Sequence, residues 1–300
     1  MKQYTYFPGC SAGSTGLGYG LSLEAVSPLL DMELLELEDW NCCGSTPYGS
    51  LEEFEAAVLV GRDLAIAEKT GHDLVTPCSS CFVTLKKNHG LFREDAALAR
   101  DINTALAEAG LSYHGTVNIR HITDVLFRDI TPEEVASKVK KSLKGLRVAP
   151  YYGCQIVRPQ YGEEDADEPV SLDRLVAATG AEPVPFPLKT RCCGSSLMMS
   201  RQDVALRFVD DIISNAAENG AECIVTVCPL CQTNLDAFQA PAASAYGKQY
   251  NLPVLYITQL IGMALGLGLK ELGLDTNIVS AAPLLKRLAE AGEEVVGGRA

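Results

Sequence analysis

Ten of the eleven cysteines in this 300-residue chain fall into two sets that share one pattern. Each set has a single cysteine, then a Cys-Cys-Gly-Ser sequence, then C-x-x-C, and the last two features are separated by the same interval in both sets. The first set is Cys10, Cys42, Cys43, Cys78 and Cys81, and the second set is Cys154, Cys192, Cys193, Cys228 and Cys231. A pattern repeated with this spacing indicates an internal duplication.

Five thiols in each half favour metal or redox chemistry over disulfide bonding. The N-terminus lacks the charged and apolar segments of an export signal, and the reducing cytosol keeps thiols free. Converging thiolates repel one another unless a cation neutralises them, and soft thiolates select zinc, copper(I) or iron-sulfur clusters. Four ligands close a structural zinc site, whereas an enlarged or irregular cluster can use five. The pattern therefore favours iron-sulfur clusters, with zinc in one or both halves or a catalytic dithiol as alternatives.

The segments between the cysteines predict how these side chains are positioned. Each half alternates apolar strands with helices, which predicts an α/β domain with a parallel sheet. The loops that follow parallel strands emerge at one edge of the sheet, where open α/β sheets bind their ligands. We predict two tandem Rossmann-like domains related by duplication, over residues 1–130 and 146–300, the second with C-terminal helices. Residues 131–145 are predicted to contain a connecting helix.

Smaller signals predict local features of these domains. Thr131 and Pro132 are predicted to begin the connecting helix. Ser50 and Ser200 are predicted to cap the helix that follows each Cys-Cys-Gly sequence. Gly44 and Gly194 are predicted to allow a tight turn beside the metal ligands.

Composition and hydropathy limit the classes of partner. The net charge of -13 argues against nucleic acid as a partner and favours docking on other proteins. The most apolar segment, 252–269, contains Pro253, Thr258 and Gln259, and its uninterrupted part is shorter than the ~20 residues of a membrane span. We therefore expect a buried strand and helix there, and a cytoplasmic protein that does not itself span a membrane.

The doubled cysteine pattern resembles the twofold cysteine-rich CCG domain found in the B subunit of heterodisulfide reductase, over about 260 residues. In that family each motif holds a noncubane 4Fe-4S cluster, and the two clusters face a cavity where a disulfide is reduced to two thiols. The resemblance implies that all ten cysteines are cluster ligands and that the chain is an oxidoreductase subunit for a small-molecule disulfide. It also implies partner subunits with cubane iron-sulfur clusters and flavin, which donate the electrons.

The same pattern is compatible with other functions. Related CCG proteins keep one complete motif or carry a ferredoxin module, and relatives of the succinate-dehydrogenase type combine one cluster with zinc. The alternative function is a non-catalytic electron-transfer subunit of a flavin-containing dehydrogenase. A zinc-stabilised scaffold without redox activity is the third possibility.

Four further features have simpler interpretations. Cys223 aligns with an aspartate in the first half, so we expect an inert buried thiol. His121 is predicted to be a packed residue, and Trp40 is predicted to pack near the first cysteine set. The glycine-rich stretch 13–20 does not fit G-x-G-x-x-G, so we predict close backbone approach to a cluster or substrate there and no nucleotide site.

Overall fold

Two four-stranded sheets, one from each half of the chain, form the framework of the protein. The computed structural model describes residues 1–45, 48–158 and 164–288. The strands of the first half are β1 (Lys2–Tyr6), β2 (Met32–Glu36), β3 (Leu74–Thr76) and β4 (Ile119–His121), and those of the second half are β5 (Arg147–Tyr151), β6 (Glu182–Pro183), β7 (Cys223–Thr226) and β8 (Val254–Tyr256). The strand orders are β2-β1-β3-β4 and β6-β5-β7-β8, and all neighbouring strands are parallel.

Helices connect the strands in both halves. Those of the first half are α1 (Leu17–Val26), α2 (Tyr48–Leu51), α3 (Glu53–Glu68), α4 (Ser79–Glu94), α5 (Ala96–Ala107), α6 (Ile122–Asp124) and α7 (Pro132–Ser137). Those of the second half are α8 (Ser171–Ala178), α9 (Gln202–Glu218), α10 (Pro229–Ala237), α11 (Gln239–Tyr246) and α12 (Ile257–Ala264). The equivalent strand orders confirm the prediction of two parallel-sheet α/β units related by duplication.

The hydrophobic pattern of the sequence explains these elements. The Cys-Ile-Val-Thr sequence of β7 is buried throughout, as expected for a central strand covered on both faces. In α9, Val209, Ile212, Ile213 and Ala216 recur at helical spacing and are all buried. The apolar segment 252–269 forms β8 and α12, which confirms the predicted buried strand and helix. Among the described residues, no helix combines the length and the apolar character that a membrane span requires.

The two halves pack on each other through a shared hydrophobic core. Tyr19 of α1 stacks on Tyr256 at the end of β8, with ring centroids 4.2 Å apart. The hydroxyl oxygens of Ser22 and Thr258 lie 2.6 Å apart in the same buried contact between α1 and α12. This packing fixes the position of one sheet relative to the other.

Some local predictions are correct and others are wrong. Thr131 caps the connecting helix α7, and its side chain accepts a hydrogen bond from the Glu134 N–H at 3.3 Å. Ser50 and Ser200 are not helix caps, because Ser50 lies inside the short helix α2 and Ser200 lies in a turn before α9. The domain boundaries at residues 130 and 146 stay a prediction, and residues 289–300 of the second domain lie outside the described part of the chain.

Truncation at the contact between the halves should destabilise the whole protein. Leu260 of α12 is fully buried in the shared core, so Leu260→Ala is expected to lower the free energy of unfolding by about 2–5 kcal/mol. Ile278, which is 69% exposed, provides the control, and Ile278→Ala should change stability by less than about 0.5 kcal/mol. Chemical denaturation measures both. Equal stability of the two variants would contradict the burial of Leu260 in this core.

Candidate functional site

The paired cysteines lie on the loops that follow the strands, at the same edge of each sheet. Cys10 follows β1, Cys42 and Cys43 follow β2, and Cys78 follows β3 at the N-cap of α4, whose first turn contains Cys81. The second half repeats this arrangement, with Cys228 at the N-cap of α10 and Cys231 in its first turn. Because the strands are parallel, these loops converge as the sequence predicts.

The ten thiols form one continuous run of neighbouring side chains, each of which influences the pKa of the next, here called the sulfur run. In the first half it passes in order through Cys10, Cys42, Cys43, Cys81 and Cys78. In the second half it passes in the same order through Cys154, Cys192, Cys193, Cys231 and Cys228. Cys43 Sγ and Cys81 Sγ, for example, lie 3.3 Å apart. The structure therefore brings together all five members of each predicted set.

The two parts of the sulfur run meet where Cys78 contacts Cys228. Both side chains are buried, and they occupy equivalent positions in the two halves. At the opposite ends of the run, Cys10 is exposed and Cys154 is half-buried. The sulfur run is thus closed from solvent at the junction of the halves and more accessible at its ends.

The imidazole of His121 is buried between the two cysteine loops at this junction. Its Nδ1 accepts a hydrogen bond from the Thr123 N–H at 3.2 Å, which leaves Nε2–H as the donor. The backbone groups of Pro77 and Val227, which directly precede Cys78 and Cys228, lie near the ring and favour its charged form. Burial lowers the pKa of His121 to about 4, so the ring is neutral near neutral pH. His121 is a packed residue as predicted, and it lies between the two loops.

Mutual hydrogen bonding divides the thiols into proton donors and acceptors. Hydrogen bonds from Cys42 and Cys81 lower the pKa of Cys43 to about 3. The pKa of Cys192 is lowered to about 2, chiefly by the thiol of Cys154, whereas the pKa of Cys42 is raised well above its ordinary value by the neighbouring Cys43. Each thiolate therefore accepts hydrogen bonds from neighbouring thiols that stay protonated. Deprotonating a whole set requires a compensating positive charge, which metal ions supply.

Two glycines that sequence reasoning missed provide space for the sulfur atoms. Gly9 and Gly153 both have left-handed backbones, with φ of +75° and +72°. A Cβ at Gly9 would lie 3.1 Å from Cys81 Sγ, and a Cβ at Gly153 would lie 3.1 Å from Cys231 Sγ. The signal in the sequence was a glycine directly before the first cysteine of each set.

The Cys-Cys-Gly turns adopt the predicted geometry. Gly44 and Gly194 have φ of +69° and +82°, a region that L-residues rarely occupy. Before the first turn, the buried carboxylate of Asp63 in α3 accepts a hydrogen bond from the Asn41 N–H at 2.9 Å. Burial raises the pKa of Asp63 to about 7. The backbone that carries Cys42 is thereby anchored to α3.

Several cavities reach the cysteines. A groove of about 700 Å³ has Cys10 in its wall, and a cavity of about 500 Å³ has Cys43 in its wall. A cavity of about 60 Å³ lies between the halves and is lined by all five cysteines of the second set and by Ser79 and Ser80 of the first half. The two sets thus line different cavities.

The donor set fits a multi-iron cluster in its chemistry. Each half offers five sulfur ligands on loops with left-handed glycines that leave room beside the sulfur atoms. Among the described residues, no group of three or more His, Cys, Asp or Glu side chains already has the arrangement of a metal site. The thiols contact one another in an extended run, and such a run differs from the closed four-ligand arrangement of structural zinc.

Three other predicted features lie outside the sulfur run. Cys223 is fully buried in β7, and burial raises its pKa to about 12, as expected for an inert thiol. Trp40 packs edge-on against Phe7, with centroids 5.5 Å apart. The approach of the glycine-rich stretch to a cluster or substrate stays a prediction: a Cβ at Gly16 would lie 3.3 Å from Pro229 Cβ, next to Cys228, whereas a Cβ at Gly18 would lie 2.8 Å from Gln259 Nε2. That glycine allows α1 to approach the second half closely.

Comparison with known proteins finds relatives that align with nearly the whole chain. The family model of the CCG cysteine-rich domain matches twice, over residues 4–86 and 148–236. The 8-methylmenaquinol:fumarate reductase membrane anchor subunit of Wolinella succinogenes is 36% identical over 95% of this chain and 99% of its own length. The B subunit of the ferredoxin/F(420)H(2)-dependent CoB-CoM heterodisulfide reductase of Methanosarcina acetivorans is 29% identical over 97% of this chain and 98% of its own length.

Two further comparisons concern another reductase-like relative and the fold. A protein of Archaeoglobus profundus that is named as similar to the B subunit of heterodisulfide reductase is 30% identical over 89% of this chain and 91% of its own length. The crystal structure of a hypothetical protein from Helicobacter pylori superposes with a TM-score of 0.74 at 15% identity, over 93% of this chain. The chain spans 52% of that larger protein, so this likeness concerns the fold alone.

Substituting the glycine beside Cys231 should separate a local effect on the metal site from backbone strain. Gly153→Ala places a Cβ against Cys231 Sγ at a φ of +72°, whereas Gly71→Ala at the same φ meets no atom within 4 Å. Both variants should lose about 1–2 kcal/mol of stability through the left-handed backbone. Only Gly153→Ala should also lose iron, measured per chain after anaerobic purification. Unchanged iron in Gly153→Ala would show that this close approach has no part in metal binding.

Proposed function

Because this chain belongs to the family of twofold CCG cysteine-rich proteins that includes the B subunit of heterodisulfide reductase, we propose that it is an iron-sulfur redox subunit with one cluster in each half. The proposed ligands are the ten cysteines of the sulfur run. By resemblance to the family, each set would hold a noncubane 4Fe-4S cluster. When bound, such a pair supplies two one-electron carriers, which matches the two electrons that a disulfide consumes.

The observation that carries this proposal is the contact between Cys78 and Cys228. Two metal sites with separate roles would not need to lie close together. Two electron carriers that serve one reaction, in contrast, benefit from a short distance between them. The shared hydrophobic core keeps the two halves together at this point, and His121 is buried beside both loops. The arrangement therefore favours joint action of the two cysteine sets.

The finer proposal is the reduction of a small-molecule disulfide to two thiols, with two electrons and two protons consumed per bond broken. The cavity between the halves carries polar side chains beside the cysteines, including Ser79, Ser80 and Gln155. Ser80 Oγ donates a hydrogen bond to Gln155 Oε1 at 2.5 Å, so this pair links the halves at the edge of the cavity. We propose that a polar substrate approaches the second cysteine set at this opening.

A second candidate is electron transfer within a flavin-containing dehydrogenase, without disulfide chemistry. It is favoured by the relative from Wolinella succinogenes, whose name assigns it to a fumarate reductase and whose identity of 36% exceeds the 29% of the heterodisulfide reductase relative from Methanosarcina acetivorans. It is also favoured by the separate approaches to Cys10 and Cys154. In this candidate function, one half of the protein can hold zinc in place of a cluster.

Either candidate requires partner subunits. We propose partners that carry cubane clusters and flavin, since these relatives are parts of larger enzymes by name. The acidic charge of -13 suits docking on protein surfaces. The cytoplasmic location expected from the sequence stays a prediction, because one relative is named a membrane anchor subunit.

Removing one cysteine pair at a time distinguishes the two candidates. We compare a variant with Cys78→Ser and Cys81→Ser against one with Cys228→Ser and Cys231→Ser, using reduced methyl viologen as donor and hydroxyethyl disulfide or oxidised glutathione as acceptor. If both sets act on one disulfide, each variant should lose turnover while its remaining centre is still reduced by the dye. Cys223→Ser, the buried thiol outside the sulfur run, should retain full turnover.

Two outcomes would contradict disulfide reduction by the paired sets. One is substantial disulfide turnover in either double variant, which would mean that a single set suffices. The other is absence of turnover in the unaltered protein with both acceptors while its centres are still reduced by the dye, which would favour the electron-transfer candidate.

A further inference from the structure

A buried carboxyl group lies behind the first Cys-Cys-Gly turn and has no counterpart behind the second. Asp63 of α3 is fully buried. One of its carboxyl oxygens accepts from the backbone N–H of Asn41 at 2.9 Å, and the other accepts from the side-chain amide of Asn41 at 3.2 Å. Asn41 directly precedes Cys42 and Cys43. The carboxyl group therefore faces the turn without being one of the proposed metal ligands.

No cation in the described part of the chain forms an ion pair with this carboxyl group. The guanidinium of Arg62, the preceding residue, pairs with Asp39 and donates to Asn41 Oδ1 at 3.1 Å. A buried carboxylate that has lost its hydration and has no cation beside it tends to take up a proton. Burial accordingly raises the pKa of Asp63 to about 7, well above the ordinary value of a carboxyl group.

Few charged groups act on Asp63. Arg62 on its own helix lowers its pKa, and Asp39 in the loop after β2 and Cys43 of the first set raise it. The helices α4 and α5 pack apolar side chains such as Ile102 against the buried face of α3, and the short helix α2 has no acidic or basic side chain. The nearby charge that changes with the redox state of the protein is therefore that of the first cysteine set.

The second half replaces this acid with an apolar residue. Ile213 of α9 is the equivalent of Asp63, because each follows the second cysteine of its Cys-Cys-Gly sequence at the same interval. Ile213 is fully buried. The second turn is held by a neutral donor, since the side-chain amide of Asn234 donates to the carbonyl oxygen of Cys193 at 2.7 Å. The two sets thus differ in whether an acid that can be protonated lies beside them.

We propose that Asp63 takes up one proton when the first cysteine set receives one electron, so that reduction of this site is coupled to protonation, whereas reduction of the second site is not. The carboxylate gains a proton from water and becomes a neutral carboxyl group, while the electron comes from a partner subunit or an added reductant and stays on the metal site. Asn41, the hydrogen-bond partner of Asp63, is partly exposed, so the carboxyl group lies one side chain away from water.

The physical reason for the coupling is electrostatic. An electron added at the first set is a new negative charge in a buried region, where charges interact more strongly than in water. That charge raises the proton affinity of a neighbouring acid, and the bound proton in turn favours the reduced state. The inference rests on the proposed function, because it requires a cluster in the first set. Absence of iron would contradict the proposed function, whereas clusters with potentials that do not depend on pH would contradict this inference alone.

The coupling determines the sign of the pH dependence. Protons favour the reduced state, so the reduction potential of the first site falls as pH rises between the pKa of Asp63 in the oxidised protein and its higher pKa in the reduced protein. Within this range a tenfold change in proton concentration changes the reduction equilibrium up to tenfold, which is about 59 mV for one electron. At lower pH, where Asp63 is protonated in both states, the potential is constant.

The test is a redox titration of the anaerobically purified, metal-loaded protein at several pH values around neutrality, followed by electron paramagnetic resonance. The first site is measured in the variant with Cys228→Ser and Cys231→Ser, and the second site in the variant with Cys78→Ser and Cys81→Ser. We expect the potential of the first site to fall as pH rises. The potential of the second site should stay constant.

Substitution of the acid shows whether Asp63 is the group that takes up the proton. Asp63→Asn keeps an acceptor for the Asn41 N–H, so it should retain iron while the potential of the first site becomes independent of pH. Asp210→Asn is the matched control. Asp210 is also buried, on the equivalent helix α9, but its carboxylate pairs with Lys248 at 3.0 Å. This control should leave the pH dependence of both sites unchanged.

Three results of the titrations would overturn the inference: a constant potential at the first site, an unchanged pH dependence in Asp63→Asn, and equal pH dependence at both sites. If Asp63→Asn does not retain iron, infrared difference spectroscopy of the unaltered protein decides instead. Reduction should then produce the carbonyl band of a protonated carboxyl group, which shifts in D₂O. Absence of this band would also contradict proton uptake by Asp63.

Discussion

The crowding of ten thiols in one continuous run is the constraint on which the rest of the structure depends. Thiolates at this separation repel one another, and the lowered pKa of Cys43 beside the raised pKa of Cys42 shows how few can be charged without a cation. The fold holds them together by rigid means: parallel strands that end at one edge, glycines that leave space for sulfur, and a core shared by both halves. Metal binding would remove this repulsion, because the thiols lose their protons when they become ligands and the metal ions neutralise the resulting thiolates.

Much of this arrangement could be predicted from the sequence, since a repeated pattern constrains both the chemistry and the topology. The cysteine sets, the parallel sheets and the left-handed turns at Gly44 and Gly194 follow from residue types and spacing. The contact of Cys78 with Cys228 could not be predicted, because it depends on how α1 packs on α12. The helix caps expected at Ser50 and Ser200 were wrong because short turns precede the long helices, and local propensity does not determine such turns.

The duplication is symmetric in its sulfur ligands and asymmetric around them. His121 ends β4 and is buried beside the two cysteine loops, whereas Tyr256 ends β8 and stacks on Tyr19. Cys10 opens into a large apolar groove, and its equivalent Cys154 lies beside polar side chains at the contact of the halves. Solvent access and hydrogen bonding tune the reduction potential of a metal site. Two equivalent sites in different surroundings are therefore suited to different redox partners.

The central claim is that each cysteine set holds its own iron-sulfur cluster, and metal and sulfide analysis of anaerobically purified protein tests it most directly. Two such clusters require about eight iron and about eight acid-labile sulfide per chain, four for each set of five cysteines. About four iron with one zinc would contradict a cluster in both halves and favour the asymmetric electron-transfer subunit. Near-stoichiometric zinc with little iron would contradict iron-sulfur binding altogether.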